Sequence, residues 1–375
     1  MRIIFAGGGT AGHINPALAV AEYIRENDPN AEILYVGAKG GMEENLVAKA
    51  GFNFKGIKIS GFSRKLNFEG IKKNIVTVKR IITSSMESKK IIQEFKPDIC
   101  MGTGGYVSGP ILRTAARMGV PIIIHEQNAF PGVTSKMLSK YAKRIMLAIP
   151  GTEKYFGDNC SFSITGNPVR KEIIHKQKDE ARKELGLDHR PVILSFGGSL
   201  GARKINEPVA DLIAWSCNGD KFQHIHAYGK YGTWFPDLLK EKGVVISDHT
   251  NLDIREYIDN MPTCLAAADL VICRSGAITI SELQVQGKPA ILIPSPNVAE
   301  NHQYHNAMAL VRAGAASIIE EKDLNSQKLI ETVEKMLQDP EYLEKCSKKA
   351  KSMAITDSNQ RIYSIIKDIS AEYAI

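Results

Sequence analysis

Short apolar runs rich in β-branched residues alternate along the chain with segments whose apolar residues recur at helical spacing. This alternation predicts an α/β fold, with parallel sheets covered by helices. The runs fall into two series on either side of a polar, charged stretch at 167–190. The predicted strands are 3–6, 33–36, 54–59, 98–101, 121–125 and 144–149, then 192–196, 223–228, 244–247, 270–273, 290–293 and 316–319. Two doubly wound sheets follow, in two Rossmann-like domains facing a cleft.

A glycine-rich loop follows the first strand of each series. Residues 7–12 read Gly-Gly-Gly-Thr-Ala-Gly, and residues 197–202 read Gly-Gly-Ser-Leu-Gly-Ala. Because glycine has no Cβ, such a loop lets backbone amides and the positive end of the next helix approach an anion. The alternative is that the glycines only form tight turns.

The first loop also matches the Gly-x-Gly-x-x-Gly pattern of dinucleotide-binding enzymes. That pattern requires an acidic residue near the tip of the second strand, where it holds a ribose. Here the strand ends at residues 35–38, Tyr-Val-Gly-Ala, without a carboxylate. An NAD- or FAD-dependent oxidoreductase stays an alternative, but the acidic residue that would hold the ribose is missing from this position.

His13 comes directly after the first glycine loop. The following Asn15 and Pro16 predict a helix that begins there, with asparagine as N-cap and proline at the first position. This places His13 in the loop before the helix. Its imidazole could act as a base or could form a hydrogen bond that stabilises the loop.

Residues 273–282 combine a strand end, a Ser-Gly turn and the start of a helix. The first-turn amides of such a helix can bind a phosphate. Glu282 lies about a turn and a half into the helix, where its carboxylate could accept two hydrogen bonds from a vicinal diol such as a ribose. The segment therefore predicts a nucleotide site, although Glu282 could also be an ordinary acid on the helix surface.

Three further polar or glycine-rich segments follow predicted strands: 102–106, 125–128 and 301–306. The dense polar cluster His-Glu-Gln-Asn at 125–128 favours a functional role, because strand ends of such sheets carry ligand-binding loops. The segment 301–306 reads Asn-His-Gln-Tyr-His-Asn and is equally typical of a solvated helix start. The glycines of 102–106 could admit a bulky polar ligand close to the backbone.

Charge is concentrated in one segment of the chain. The 375 residues contain 48 Lys and Arg against 41 Asp and Glu, a formal charge of +7, too small on average to predict a nucleic-acid partner. Residues 64–90 hold eight basic and two acidic residues, a net +6, with isoleucines and a valine at helical spacing. A basic amphipathic helix of this kind suits an anionic membrane surface. Alternatively, the apolar stripe packs on the sheet while the lysines remain solvated.

Other features of the sequence limit the class of protein that it can encode. No uninterrupted apolar run approaches the ~18 residues that a membrane-spanning helix needs, and the N-terminus lacks a signal-peptide pattern. The six cysteines show neither a Cys-x-x-Cys pair nor a metal-ligand spacing, which predicts reduced thiols in a cytoplasmic protein. No Asp-x-Asp motif lies near a strand end, so we expect no metal bound by protein ligands.

Six motifs in order resemble those of the MurG family of bacterial N-acetylglucosaminyltransferases over essentially the whole chain. They occupy 7–13, 104–110, 125–128, 166–170, 197–202 and 274–277. The resemblance implies a GT-B architecture and a role in peptidoglycan synthesis, hence in cell shape and division. It implies an acceptor-binding and membrane-facing domain at 1–165, a donor domain at 166–355, and a C-terminal helix at 356–375 crossing back to the first domain.

The same resemblance implies a binding site for UDP-GlcNAc without any cofactor. Ser199 and the amides near Thr279 would face the diphosphate, Glu282 the ribose, Ile258 the uracil and Gln303 the sugar. The full implied donor site is Thr10, Ala11, Gly12, Asn128, Arg170, Ser199, Ile258, Ala277, Ile278, Thr279, Ile280, Ser281, Glu282 and Gln303. Gly104, Gly105 and Tyr106 would lie on the acceptor side.

The implied reaction is an inverting transfer of GlcNAc to the MurNAc 4-hydroxyl of lipid I, at the cytoplasmic face of the membrane, giving lipid II. His13 is the first candidate for the base and Glu126 the second. Another GT-B lipid glycosyltransferase or a UDP-GlcNAc epimerase is the alternative within enzymes. A nucleic-acid binder would leave Glu282 without a purpose, so no nucleic-acid partner is expected.

Overall fold

The computed structural model describes residues 1–59, 83–219 and 221–373. The chain divides into two compact units. Unit 1 comprises Met1–Pro168 together with Asp357–Ile375, and unit 2 comprises Val169–Thr356. Unit 2 is therefore inserted into unit 1 along the sequence.

Unit 1 contains, within the described residues, a parallel sheet with the order β3-β2-β1-β4-β5-β6-β7. Its strands are β1 Arg2–Gly7, β2 Glu32–Ala38, β3 Asn53–Ile57, β4 Ile99–Gly104, β5 Ile122–Glu126, β6 Arg144–Leu147 and β7 Phe162–Ile164. Among the described residues of unit 1, five α-helices come before β6 in the sequence. They are α1 Ala11–Asn27, α2 Met42–Lys49, α3 at 83–95, α4 Ser108–Arg117 and α5 Val133–Leu138.

Alternate residues of the central strand β1 pack on opposite faces of this sheet, as a strand buried on both sides requires. Ile3 and Phe5 belong to the cluster beneath α1, whereas Ile4 and Ala6 belong to the cluster beneath α4. The near-continuous apolar run that predicted this strand is thus explained by two covered faces.

Unit 2 repeats the arrangement with the strand order β10-β9-β8-β11-β12-β13, again parallel throughout the described residues. Its strands are β8 Val192–Phe196, β9 Gln223–Ala227, β10 Leu252–Arg255, β11 Leu270–Cys273, β12 Ala290–Leu292 and β13 Ala316–Ile318. Its helices are α6 Lys171–His175, α7 Lys178–Glu184, α8 Arg203–Cys217, α9 Phe235–Glu241, α10 Met261–Ala267, α11 Ala277–Gln286, α12 His302–Arg312, α13 Ser326–Leu337 and α14 Pro340–Ser352.

The last helix, α15 Ser358–Glu372, belongs to unit 1 although it follows unit 2 in sequence. Ile362, Ile366 and Ile369 are buried in the same cluster as the apolar face of α1. The ring of Tyr363 meets that of Tyr23 edge-on, with centroids 5.9 Å apart. The isoleucine spacing that predicted a terminal helix therefore buries one stripe against unit 1.

The prediction of two doubly wound parallel sheets is confirmed, but the strand predicted at 244–247 is wrong. Val244 closes the end of α9, since its amide donates to Leu239 O at 2.9 Å, and Val245 is exposed. The strand is Leu252–Arg255, and like β7 it was not predicted. Both are edge strands whose residues are only half-buried, and polar residues interrupt the apolar run that marks a central strand.

The predicted start of α1 at Asn15 is also wrong. The helix begins at Ala11, with the extended residue Thr10 as N-cap, and Pro16 lies inside it. A proline there costs one backbone hydrogen bond without stopping the helix, because the apolar face beneath it is fully buried. His13 consequently lies in the first turn of α1 rather than in the preceding loop.

The basic segment predicted at 64–90 falls outside the described residues except for 83–90, which lie in α3. Its membrane role therefore stays a prediction. Within the described part of the chain, no helix combines the length and the apolar character needed to cross a membrane.

Candidate functional site

Both sheets have a topological switch point, which is where open α/β folds bind ligands. In unit 1 the strand order reverses between β1 and β4, and in unit 2 between β8 and β11. Most predicted site residues lie at or just after the carboxyl ends of these strands and of their neighbours β5 and β12, whereas Arg170 follows β7 and Ile258 follows β10. Each unit thus assembles its candidates along one edge of its own sheet.

The start of α1 is exposed and open to an anion. Thr10, Ala11 and Gly12 are all exposed, and the helix has neither a side-chain cap nor an acidic residue in its first turn. The amides of Ala11 and Gly12 precede the first backbone bonds of the helix, which His13 and Ile14 donate to Thr10 O. The positive helix end can therefore stabilise a phosphate group.

A buried acid supports the glycine loop from below, and the sequence did not predict it. Glu43, in the first turn of α2, is 1% exposed. Its Oε1 accepts a hydrogen bond from Ala38 N at 2.8 Å, and its Oε2 lies 3.5 Å from Gly9 N. A Cβ at Gly8 would lie 2.3 Å from Oε1. The carboxylate near the tip of β2 thus binds backbone amides. The only sequence signal for it is an acid in the first turn of a helix after two glycines.

The acceptor-side candidates line the turn between β4 and α4. Gly104 has a φ of +105°, and a Cβ there would lie 2.7 Å from Nδ1 of His13. Gly105 faces the Gly8 carbonyl closely, so no larger residue fits. Tyr106 is 38% exposed, and burial, with Glu43 nearby, raises its pKa. The absence of a Cβ at Gly104 therefore leaves room for the His13 ring, and the exposed Tyr106 lies in the same turn.

The polar cluster after β5 consists of side chains that mostly bind one another. Glu126 is buried, and its Oε1 accepts hydrogen bonds from the amide and the Nδ2 of Asn128, both at 3.1 Å. Its Oε2 accepts one from Gly132 N at 3.2 Å. Gln127 contacts His13, with Oε1 3.2 Å from Nδ1. The carboxylate of Glu126 thus orders the loop 126–132, while Gln127 connects this loop to α1.

In unit 2 the helix α11 starts directly at the end of the loop after β11. Its first backbone bond runs from Ile280 N to Gly276 O at 2.9 Å, so the amides of Ile278 and Thr279 precede it. Helical spacing places Ile278, Thr279 and Glu282 on one face. The start of this helix therefore presents amides and a carboxylate together, as the sequence predicted.

Glu282 pairs with Arg170 across this face. Oε1 of Glu282 lies 3.8 Å from a guanidinium nitrogen of Arg170, whose side chain is 54% exposed, against 14% for Glu282. Burial raises the pKa of Glu282 to about 7, and Arg170 opposes the shift. A cavity of about 580 Å³ adjoins the pair and is lined in part by Arg170, His175, Asp259 and Asn260. The carboxylate therefore titrates near neutrality beside space for a ligand.

Gln303 is oriented by the backbone of the loop after β12. Its Oε1 accepts a hydrogen bond from Ser295 N at 2.9 Å, so its Nε2 faces away as a donor. Its carbonyl accepts a hydrogen bond from Ser275 Oγ at 2.8 Å, which joins this loop to the one after β11. Two residues before α12, Glu300 and Asn301, have φ values of +53° and +48°. Such strained backbone is concentrated at functional sites.

The remaining donor-side candidates differ in how they can reach a ligand. Ser199 is exposed in the loop after β8. Ile258 and Ile280 have buried side chains in the unit 2 core, so Ile258 could reach a ligand only through its backbone. Ile280 uses both its side chain and its amide within the fold. Ser281 Oγ donates to Ala277 O at 3.2 Å, inside α11.

The described residues contain no group of three His, Cys, Asp or Glu side chains that could hold a metal ion. The polar side chains at both switch points bind backbone groups or one another. The chemistry available there is hydrogen bonding, charge stabilisation by helix ends and proton transfer by His13 or a carboxylate.

Comparison with known proteins agrees with this division into two units. Residues 3–147 match the glycosyltransferase family 28 N-terminal domain, and residues 192–362 match the C-terminal domain of that family. The chain is 47% identical, over 98% of both chains, to the UDP-N-acetylglucosamine–N-acetylmuramyl-(pentapeptide) pyrophosphoryl-undecaprenol N-acetylglucosamine transferase of Acetivibrio thermocellus. The enzyme with this name from Caldanaerobacter subterraneus subsp. tengcongensis is 42% identical, covering 99% of this chain and 100% of its own.

Among solved structures, the chain is similar to Acinetobacter baumannii MurG, with a TM-score of 0.78 and 26% identity over 98% of this chain and 99% of that one. The GT-B fold class predicted from the sequence is thereby confirmed. Since the family domains cover most of the chain and the relatives match it from end to end, the chain belongs to glycosyltransferase family 28.

Proposed function

We propose that this glycosyltransferase moves GlcNAc from UDP-GlcNAc to the MurNAc 4-hydroxyl of lipid I and so makes lipid II for peptidoglycan. The observation that carries the proposal is the 47% identity over 98% of both chains with a transferase whose name states this donor and this acceptor. The start of α11, Glu282 and Gln303 support the proposal, because together they provide backbone amides for a diphosphate, a carboxylate for a ribose and an amide donor for a sugar hydroxyl.

The donor is held by unit 2. The open amides at the start of α11 bind the diphosphate, and Glu282 accepts hydrogen bonds from the ribose diol. Gln303 donates from Nε2 to a sugar hydroxyl, since Ser295 N already occupies its Oε1. Ile258 presents its backbone to the uracil, next to the cavity that Arg170 lines. Ser199 adds a further contact to the phosphates.

The transfer is a single displacement that inverts the anomeric carbon. Negative charge develops on the leaving diphosphate, so the helix end and Arg170 stabilise the transition state. A base removes the proton of the attacking hydroxyl. The geometry favours His13 over Glu126 for this role, because three hydrogen bonds from Asn128 and Gly132 already occupy the Glu126 carboxylate.

Transfer of labelled GlcNAc from UDP-GlcNAc to a lipid I analogue tests the proposal. We expect a labelled lipid product only when both substrates are present. Incubation with UDP-GlcNAc alone is the control for the epimerase alternative, because an epimerase changes its substrate without an acceptor. Transfer to diacylglycerol but not to the lipid I analogue would show a different lipid glycosyltransferase and contradict the proposal.

The enzyme acts as a peripheral protein on the anionic cytoplasmic face of the membrane, attached through the segment 64–90. The net charge of +6 over this segment supports attachment. A groove of about 450 Å³ between α4 and α5 of unit 1 also supports it. Its lining is mainly apolar, and its cationic members are Arg113, Arg117, Lys136 and Lys140. Met137, on the same groove, is 62% exposed.

Flotation with anionic and neutral vesicles tests the attachment. Each Lys or Arg near an anionic surface contributes about 1 kcal/mol, so replacing Lys72, Lys73, Lys79 and Arg80 by Gln weakens binding at least about tenfold. The matched control replaces four exposed lysines of unit 2 by Gln: Lys204, Lys240, Lys335 and Lys348. Equal binding of both variants would contradict attachment through 64–90.

A further inference from the structure

A chain of three hydrogen bonds in unit 1 runs from its interior to α1. Nε2 of His125 lies 2.9 Å from Gly166 O, Nδ1 of His125 lies 3.0 Å from Nε2 of Gln127, and Oε1 of Gln127 lies 3.2 Å from Nδ1 of His13. His125 is fully buried and Gln127 is 1% exposed, whereas His13 is only half-buried. The buried groups thus lead to a ring that reaches the surface.

The direction of each of these three hydrogen bonds follows from the backbone carbonyl of Gly166, which can only accept. A carbonyl oxygen only accepts, so His125 carries its proton on Nε2 and has a lone pair on Nδ1. Burial lowers the pKa of His125, which keeps the ring neutral. Gln127 must therefore direct its Nε2 at this lone pair, and the same Nε2 also donates to His125 O at 3.0 Å. Two acceptors on one side fix the orientation of the amide.

The oriented amide then determines the proton position on His13. Oε1 of Gln127 can only accept, so Nδ1 of His13 carries the proton and Nε2 holds the lone pair. The ring rests on Gly104, and the backbone carbonyl of Gln127 accepts a hydrogen bond from Asn167 Nδ2 at 3.2 Å. Within the described residues no hydrogen bond involves Nε2 of His13, so this nitrogen is available to a substrate.

We propose that Gln127, oriented by His125, is a positioning residue that keeps His13 in the Nδ1-protonated form with Nε2 as proton acceptor. This rests on the proposed function, in which His13 is the base. The proton of the 4-hydroxyl moves to Nε2 while its oxygen bonds to C1 of GlcNAc, and the electron pair of the breaking C1–O bond leaves with UDP. The proton on Nε2 then passes to solvent before the next turnover.

Nitrogen NMR of the intact protein tests the proton position independently of activity. The chain has nine histidines, and the signals of His13 are assigned with a His13→Gln variant of ¹⁵N-histidine-labelled protein. We expect a protonated Nδ1 and an unprotonated Nε2 for neutral His13. We also expect a mixture of both forms in Gln127→Met, which lacks the accepting oxygen. A protonated Nε2 in the parent protein would overturn the proposal.

Kinetics separates positioning from mere support of the fold. In Gln127→Met we expect kcat to fall at least about tenfold, a part of the 10²–10⁴ that base catalysis supplies, with an unchanged KM for UDP-GlcNAc. Gln127→Glu should recover most of kcat, because its carboxylate still accepts from Nδ1, and should move the acidic limb of the kcat profile to higher pH. Equal losses in both variants would overturn the positioning role.

Two controls keep this result separate from the proposed function. Gln327→Met changes an exposed glutamine of α13, and we expect parent kinetics. If His13→Gln transfers sugar as fast as the parent while NMR gives the expected proton position, the base assignment fails and the orientation by Gln127 stands. If NMR gives the opposite proton position in an active enzyme, the inference fails and the proposed function stands.

Discussion

Each unit contains a pair of histidines linked by a hydrogen-bonding side chain, and the two pairs behave differently. In unit 1, Gln127 links His125 to His13. In unit 2, the hydroxyl of Ser195 lies 2.7 Å from Nε2 of His224 and 2.7 Å from Nδ1 of His226. One hydroxyl proton can serve only one of these nitrogens, so the other ring must donate to the oxygen.

The difference lies in where each chain of hydrogen bonds ends. In unit 2 the outer nitrogens, Nδ1 of His224 and Nε2 of His226, have no hydrogen-bond partner within the described part of the protein. The ring of His226 packs 4.4 Å from that of Phe235. Burial lowers the pKa of both histidines, that of His226 to about 3. This pair therefore excludes a proton, whereas the chain in unit 1 ends at the half-buried His13 and can accept one.

Strand position explains the contrast. His224 and His226 lie on β9 with both neighbours in the same sheet, one face of which α8 and α9 cover. His125 also lies on a strand, but the residues after it leave the sheet at its carboxyl end, where Gln127 reaches α1. A histidine pair becomes a candidate for catalysis when its hydrogen bonds lead out past the strand end.

The largest effect should come from removing the imidazole of His13, at which the hydrogen-bond chain of unit 1 ends. We expect His13→Gln to lower the single-turnover rate of GlcNAc transfer by about 10²–10⁴, the usual contribution of a base. Binding of UDP-GlcNAc should stay within about twofold, because His13 is proposed to contact the acceptor. Quench-flow with bound donor measures the rate, and the exposed His189→Asn is the control. A parent-like rate would remove His13 from the mechanism.

The buried pair His224 and His226 should make the stability of unit 2 sensitive to acid. The folded pKa values of His224 and His226 lie below the unfolded value near 6.5. Below that pH the unfolded chain binds protons that the folded unit cannot, so stability falls as pH decreases. The loss approaches about 1.4 kcal/mol per pH unit for each histidine until its folded pKa is reached.

Tryptophan fluorescence can follow unit 2 alone, because both tryptophans of the chain, Trp215 and Trp234, lie in it. We expect the urea midpoint of this signal to fall steeply between pH 6.5 and 4.5. In the triple variant Ser195→Ala, His224→Leu, His226→Leu the dependence should be shallower, since no buried imidazole remains there to protonate. The control His175→Asn should keep the parent slope, and an unchanged slope in the triple variant would contradict the assignment.

Glu282 provides a third, smaller test, since it is a mostly buried titratable group of unit 2 that pairs with the exposed Arg170. With Glu282 as the proposed ribose acceptor, donor binding should require its ionised form, so KM for UDP-GlcNAc should rise as pH falls below about 7. Glu282→Gln should weaken donor binding about 10- to 100-fold and remove this dependence, as expected for a lost hydrogen bond to a charged group. Calorimetry measures the affinity, with the exposed Glu331→Gln as control. Unchanged affinity would contradict the ribose assignment.

The central strands were predictable from the sequence, whereas two of the four edge strands, β7 and β10, were not. Strands β8 and β11 were predicted at their observed bounds, because both of their faces are buried and the run is apolar throughout. The edge strand β10 reads Leu-Asp-Ile-Arg, and Arg255 pairs with Asp253 in it. Such a strand has no apolar run to detect.

The site was predictable as loops but not as contacts. Glycines and polar residues after strands marked the loops of both switch points. The contact of His13 with Gln127 spans 114 positions, and that of Glu43 with Gly9 spans 34. One sequence gives no signal for such pairs, because side-chain direction depends on how the helices pack. The start of α1 was missed for a related reason, since burial of its face outweighed the preference of Pro16 for a helix end.

The return of α15 to unit 1 has a consequence for biosynthesis. Unit 1 contains the first residues of the chain, yet its core includes Ile362, Ile366 and Ile369. While the polypeptide is still growing on the ribosome, the apolar cluster around α1 lacks these three isoleucines, and the part of it that α15 covers is exposed. Unit 2, whose residues all precede α15, can complete its own core earlier. The nascent N-terminal half therefore stays accessible to chaperones until translation is almost finished. A premature stop before α15 leaves this apolar surface exposed, where proteases can recognise it.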